Sequence, residues 1–343
     1  MTETAEPLPP LEEEEPERRM PRWQRIAAGS VTEILLILVA MVVVFSLLEP
    51  EAFATVNNIR NIAVNAAILL VISVGMTYVI ITAGIDLSVG SVLVFSGVVA
   101  AKAMNAVGGD SWGVVLIGLA VSLGCGLGWG LLNGVLITKA RVPPLIVTLG
   151  TLGMALGFAL IITGGVDVRE VPFTLVNSIG VGELFGQIPW LVLIAAGVAL
   201  VFGIVLHATR FGRYTYAIGS NAEAARRAGI NVDRHLIAVY GLAGLLAGLA
   251  GFMSLARFAT TTIGGHATDN LQAIAAVVLG GTSLFGGIGT VAGTVIGVFI
   301  PAVLQNGFVI VGVETFWRDV AVGAVLILAV YLDQLRRRSQ YRI

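Results

Sequence analysis

The sequence predicts an all-α, polytopic membrane bundle of about ten transmembrane helices, with the N and C termini cytoplasmic. Three observations predict it. Hydrophobic residues make up 57% of the 343 and charged residues 12%, whereas a soluble domain is nearer one quarter charged. Glycine reaches 43 and is more frequent in membrane helices than in soluble ones. Apolar runs of about twenty residues, the length that crosses the hydrocarbon, recur along the chain.

Residues 1–17 carry seven Glu and four Pro and no basic residue. That is the opposite of a secretory signal's positive start, and too polar to bury a core. The stretch is read as a disordered tail. Arg18, Arg19, Arg22 and Arg25 follow as a basic collar, with Trp23 suited to the interface. Tail and collar form one segment at 1–28, the membrane domain runs from 29 to 335, and 336–343 is a basic cytoplasmic tail. Spans are expected at 30–48, 61–82, 87–107, 113–137, 144–163, 188–207, 236–256, 268–285, 290–311 and 317–334. The eighth is the weakest, being short and ending in GGTSLFGGIG.

Charge placement tests this order, because cytoplasmic loops are rich in Lys and Arg. With the N terminus inside and the chain alternating, fifteen of the twenty basic residues fall inside. They are the collar, Lys139 and Arg141, Arg210, Arg213, Arg226, Arg227 and Arg234, and the group Arg336, Arg337, Arg338 and Arg342. Two long loops result. Residues 164–187 are external and mix turn residues with apolar ones, as a surface-lying helix or a docking loop does. Residues 208–235 are internal. Cys125, the one cysteine, lies in LGCGLGW and reads as a small packing residue without a disulfide.

Asp86 is the sharpest single residue. It sits in ITAGIDLSVGS between two apolar runs. A charge at the bilayer centre costs about 2.5–3.5 kcal/mol on the insertion scale, so it faces a cavity or a partner. It either caps the third span, satisfying amides at Leu87–Val89, or contacts a solute; the roles are compatible. The glycine-rich stretch at 82–92 also resembles GGTSLFGGIGTV at 280–291. Interrupted helices at equivalent places in two repeats often flank a transport site. Uncharged polar residues inside spans form the next set, because a pathway for a hydroxylated solute needs neutral donors and acceptors. The pathway candidates are Asp86, Ser88, Asn65, Asn133, Gln305 and Asn306, with Ser73, Thr77 and Ser96 as further polar positions. Helix–helix hydrogen bonding enriches the same residue types.

Within 208–235, Ser220 and Glu223 match the S-x-x-E capping box. Good helix formers follow from Ala222 to Ala228, and Gly229 is a natural stop. A helix of about two turns is too short to be stable alone, so it docks into something, as short helices do in a partner's groove. Missing motifs matter too. There is no G-x-x-x-x-G-K-[ST] phosphate loop and there are only two lysines, Lys102 and Lys139. His207, His235 and His266 lie far apart, without metal-site spacing. His207 and His235 read as interfacial residues at span ends, and His266 as an idle residue of an external loop. No chain of buried acids suggests a proton relay.

Several motifs in order, GIDLSVGS at 84–91, NGVLITKARVPPLIVTLGTL at 133–152, FGRYTYAIGSNAEAARRAGINV at 211–232, VVLGGTSLFGGIGTVAGTVIG at 277–297 and LQNG at 304–307, resemble the permease subunit of ATP-binding-cassette importers for ribose and related monosaccharides. The resemblance runs from about residue 30 to LDQLRRR at 332–338. The chain departs at Pro144-Leu145-Ile146, where that family commonly reads P-F-I. The resemblance implies a bacterial inner-membrane protein that binds no cofactor itself. It implies a second permease subunit, a cytoplasmic ATPase that binds the ATP, and an extracytoplasmic sugar-binding protein; the net charge of −1 separately suggests no nucleic-acid partner. It also makes the short helix the element that couples to the ATPase, at Ser220, Asn221, Glu223, Ala225, Arg226, Arg227 and Gly229.

Two other readings compete. A permease of the same type could carry a branched-chain amino acid, an inositol or a furanose signal. A charged amino acid calls for a compensating charge or a helix terminus in the pathway, and Asp86, the obvious intramembrane ion, is a lone carboxylate that suits a neutral polyol better than an α-carboxylate. A membrane-embedded enzyme would need groups such as Ser/His or paired Asp converging at one depth, and the sequence displays no such set.

Overall fold

The computed structural model describes residues 30–314, together with Trp317, Val320, Gly323, Ala324, Ile327 and Tyr331. The tail and collar at 1–28, most of the tenth expected span and the basic tail at 336–343 lie outside the described residues. Apart from single turns such as Pro50–Phe53, the described helices are α1 (Ser30–Leu48), α2 (Val56–Ile81), α3 (Val89–Val107), α4 (Trp112–Thr138), α5 (Pro144–Thr163), α6 (Trp190–Ala208), α7 (Arg210–Ser220), α8 (Ala222–Arg227), α9 (Val232–Phe258), α10 (Asp269–Leu279) and α11 (Val291–Ile310). Among the described residues seven of them, α2 to α6, α9 and α11, are long and apolar enough to cross a membrane.

The helix α2 is the hub, with 94% of its apolar window buried against 22% for α6. Peripheral helices turn large apolar side chains outward, among them Leu36, Ile146, Ile161 and Leu200. Lipid rather than water suits such a surface. In lipid, apolar burial does little to join helices, so close approach of small residues does the work. The α4–α9 pair shows it. Gly126 and Gly130 on α4 face Gly244 and Gly248 on α9, and a methyl group built on Gly126 would sit 2.2 Å from the Gly244 carbonyl oxygen. The Ser122 hydroxyl donates to the Gly248 carbonyl at 2.7 Å, closing the same seam.

The eighth expected span is corrected. Its helix, α10, has 11 residues, about 16 Å at 1.5 Å per residue, roughly half of the 30 Å hydrocarbon. Residues 259–268 come first, without regular helix, and His266 at their end reaches Ser254 inside α9. The descending arm is therefore irregular chain followed by a half-length helix. Its far end, 280–290, lies against Ile81 and Ser220, the side to which alternation assigns it. The direction of the chain is kept although the span is not a full helix.

The two glycine-rich breaks meet. The Gly287 amide donates to the Ile81 carbonyl at 2.8 Å, and Gly286, at φ +84°, packs on Ala83. Thr77 and Thr294 join the flanking helices α2 and α11 through a buried hydroxyl pair 2.7 Å apart.

The loops group by end. At one end Lys139 and Arg226 both reach Asp233, at 3.3 and 3.4 Å. At the other, Arg60 pairs with Glu183 at 2.6 Å and Asp110 accepts the Thr174 amide at 2.8 Å. Segment 164–187 is not one surface helix. It holds the single turn Phe173–Leu175, a π-turn at Val176–Gly180 and a strand, β1 (Glu183–Leu184), which pairs antiparallel with β2 (Ile188–Pro189). Phe185 at the ribbon's tip is 90% exposed.

Candidate functional site

The sequence-derived candidates fall into three places. The first is the break at 82–88. Asp86 Oδ1 accepts from the Ser88 amide at 2.9 Å and from the Ser88 hydroxyl at 2.6 Å. The Asn133 side-chain amide donates to the same hydroxyl oxygen at 2.9 Å. All three residues are 1% exposed. The carboxylate stands at the N-terminal end of α3, where helix amides and the macrodipole favour a negative charge. Asn270, at the start of α10, donates to the Leu87 carbonyl at 2.9 Å, so two helix N termini meet here. Tyr240 places its hydroxyl beside Gly84. Asp86, Ser88 and Asn133 thus form a buried polar staple, in which Asn133 Oδ1 has no partner among the described residues, and they line neither of the polar cavities described next.

The second place is the end that carries α8. The expected capping box is corrected. Ser220 is the last residue of α7, and Asn221 caps α8 by accepting the Ala224 amide at 2.9 Å. Glu223 turns instead to Arg227, four residues on, at 3.2 Å. Gly229, at φ +85°, ends the helix as expected, and the Ile230 amide closes the turn on the Ala225 carbonyl at 3.1 Å. Ala225 is buried with Ile218 and Val232, which seats the helix. Glu223, Arg226 and Arg227 face outward. A cleft of about 1,090 Å³ opens beside them, between α8 and the α4–α5 turn, lined by Lys139, Arg141, Arg226 and Asp233 among others.

Sequence reasoning missed α7. Its signals are Thr209, which accepts the Gly212 amide at 3.4 Å, and Phe211, Thr215 and Ile218 at helical spacing. Thr215 meets His235 Nε2 at 2.9 Å. His235 is therefore a buried packing residue rather than an interfacial one. Tyr216 on α7 donates to the Gly289 carbonyl at 2.7 Å, which fastens the second glycine break to this layer; burial pushes its phenol above the usual range.

The third place is a cavity of about 370 Å³ toward the other end of the bundle, among α2, α9, α10 and α11. It brings together three of the candidates, Asn65, Gln305 and Asn306. Gln305 donates to Gln272 at 3.1 Å, and Asn306 exchanges two amide hydrogen bonds with Asn58, at 2.9 and 2.8 Å. Arg257, Phe258, His266 and Asp269 line the same space, and sequence reasoning missed all four.

His266 is corrected from an idle loop residue to a buried one, 7% exposed. Its Nδ1 lies 2.7 Å from Asp269 Oδ2 and its Nε2 2.8 Å from the Ser254 hydroxyl. Ser, His and Asp thus stand in line, a convergence the sequence did not reveal. Ser254 is only 4% exposed on the α9 helix, and a nucleophile must reach a substrate. The line is a hydrogen-bonded strut that fixes the Asp269 carboxylate at the cavity wall.

Comparison with known proteins agrees with this architecture. Residues 58–330 match the family described as the branched-chain amino acid transport system permease component. The chain is 40% identical over 307 residues to the ribose import permease of Escherichia coli, covering 88% of this chain and 93% of that one. It is 38% identical over 300 residues to the D-allose transport system permease of the same species, covering 87% and 90%. It is 33% identical over 312 residues to the fructose import permease of Rhizobium meliloti, covering 89% and 85%. No solved structure matches the chain.

Proposed function

Because this chain belongs to the permease-component family of branched-chain amino acid transport systems, we propose that it is the membrane permease of an ATP-binding-cassette importer for a monosaccharide. Its relatives are named for ribose import, D-allose transport and fructose import. It is a multi-pass protein of the bacterial inner membrane. Three sugars of different stereochemistry among the relatives support the class rather than one member of it.

The single observation that carries the mechanism is α8. It is capped by Asn221, seated by Ala225 and closed by Gly229, and it offers Glu223, Arg226 and Arg227 to a partner. The sequence has no phosphate loop, so ATP is bound and hydrolysed by a cytoplasmic partner docked on this helix and its adjoining cleft. An extracytoplasmic binding protein delivers the sugar at the opposite end, and a second permease subunit completes the pathway. The test is ATP hydrolysis by the partner ATPase, stimulated by sugar-loaded binding protein, with and without Ala225→Pro in this chain. Stimulation lost in the variant supports the docking role, and unchanged stimulation removes it.

One observation favours a second reading. Arg257 and Asp269 line one cavity with opposite charges, and a zwitterionic branched-chain amino acid would need such a pair. The sugar relatives and the neutral amides around the cavity weigh the other way.

A further inference from the structure

We infer that the cavity among α2, α9, α10 and α11 is a binding subsite of the permease itself for a monosaccharide, with Phe258 as its platform and Asp269, Arg257, Asn65 and Gln305 as its polar contacts. The inference rests on the importer reading and assigns it a site.

The size fits. Small-molecule pockets run from about 300 to 1,000 Å³, and this one measures about 370 Å³. The chemistry fits a polyol. A sugar hydroxyl both donates and accepts, and neighbouring hydroxyls are best met by planar groups with two in-plane partners. Amides offer a donor and an acceptor together, a carboxylate two acceptors, and a guanidinium a fork of donors. One face of a pyranose or furanose is mostly C–H and packs on an aromatic ring, which also carries a specific geometry of its own. Phe258 is 47% exposed and lines the cavity, with its ring edge-on to His266 at a centroid distance of 6.3 Å.

Unused capacity is present among the described contacts. The side chains of Asn65 and Arg257 line the space, and neither is in a hydrogen bond or ion pair of its own. Gln305 uses its nitrogen toward Gln272 and keeps its oxygen. Asp269 accepts from His266 through Oδ2 and keeps Oδ1. The carboxylate is pre-positioned, because His266 is anchored in turn by Ser254. A group already held in its binding geometry loses less freedom when a ligand arrives. His266 and Ser254 are positioning residues, and the site lies toward the end of the bundle where alternation puts solute delivery.

The experiment uses the permease in nanodiscs for binding and in proteoliposomes, with its ATPase and binding protein, for uptake. The probes are D-ribose, D-allose and D-fructose. Saturation-transfer NMR should show at least one of them contacting wild-type permease in the absence of binding protein, and the contact should vanish in Phe258→Ala. Asn65→Ala, on an exposed position, should weaken it about threefold or more. Uptake should fall at least tenfold in Phe258→Ala and Asp269→Asn while ATP hydrolysis stimulated by loaded binding protein persists.

Wild-type permease that transports a monosaccharide but gives no saturation transfer with any of the three overturns the subsite and leaves the importer reading intact. Displacement of the sugar signal by L-leucine overturns the assignment to sugars. Wild-type proteoliposomes that take up no monosaccharide overturn the importer reading, and the subsite with it. Should a variant fail to fold, the wild-type spectrum and Asn65→Ala decide.

Discussion

One oxygen of Asp86 accepts both the backbone N–H and the hydroxyl of Ser88, at 2.9 and 2.6 Å. Two donors on one buried carboxyl oxygen, with the Asn133 amide holding the hydroxyl from the other side, tie the break at 82–88 into the start of α3. Removing the acceptor leaves buried donors unsatisfied, at about 1–3 kcal/mol and more for a charged partner. Asp86→Ala is expected to lower the thermal unfolding midpoint in detergent strongly, and Asp86→Asn, which keeps one acceptor oxygen, much less. If Asp86→Ala keeps wild-type stability and loses only uptake, the carboxylate serves the solute.

The α4–α9 seam makes a second prediction. A methyl group on Gly244 would lie 2.2 Å from the Gly126 carbonyl oxygen, and overpacking costs roughly 1–3 kcal/mol or more. Gly244→Leu should abolish a folded, monodisperse protein by size-exclusion chromatography. Gly153→Leu, at a position with open space beside it, should leave the folded yield unchanged. Equal yields from the two variants would refute the seam.

The short helix α8 gives a third. Losing an N-cap costs about 1 kcal/mol, and a proline inside a helix about 3 kcal/mol. Asn221→Ala should reduce ATP-driven uptake severalfold, and Ala225→Pro should eliminate it, with binding-protein affinity for sugar unaltered in both. A wild-type uptake rate in Ala225→Pro would show that α8 couples nothing.

Orientation is tested at the ribbon tip. Glu183 is engaged by Arg60, so Phe185, which is 90% exposed, is the better reporter. In a Cys125→Ser background, Phe185→Cys should react with an impermeant thiol reagent on intact spheroplasts. Reaction only after lysis would invert the topology.

Much of this was legible in the sequence, for physical reasons that also explain the gaps. Hydropathy and Lys/Arg placement revealed most of the spans and grouped Lys139 with Asp233's loop, because both signals are local. Hydropathy could not separate α10 from a full span, since the apolar run of Asp269–Leu279 continues into 280–285, which is glycine-rich without being helical. The cap moved from Ser220 to Asn221 because α7 extends through Ser220, and α7 was hidden in a loop judged by its charge. Asn65 and the Gln305–Asn306 pair were chosen by residue type and share one cavity, whereas Asp86, Ser88 and Asn133 share a buried cluster; residue type alone does not distinguish the two settings. Ser254, His266 and Asp269 gave no signal, because their alignment depends on how the irregular chain before α10 folds back onto α9.

Everything proposed for this chain depends on its conducting a monosaccharide inward under the drive of a separate ATPase. Uptake of labelled D-ribose, D-allose, D-fructose and L-leucine into proteoliposomes holding the chain, its ATPase and its binding protein tests it most directly. At least one of the sugars should accumulate, in a way that requires ATP and the binding protein and is lost in Ala225→Pro. Accumulation of L-leucine with no uptake of any sugar would contradict it.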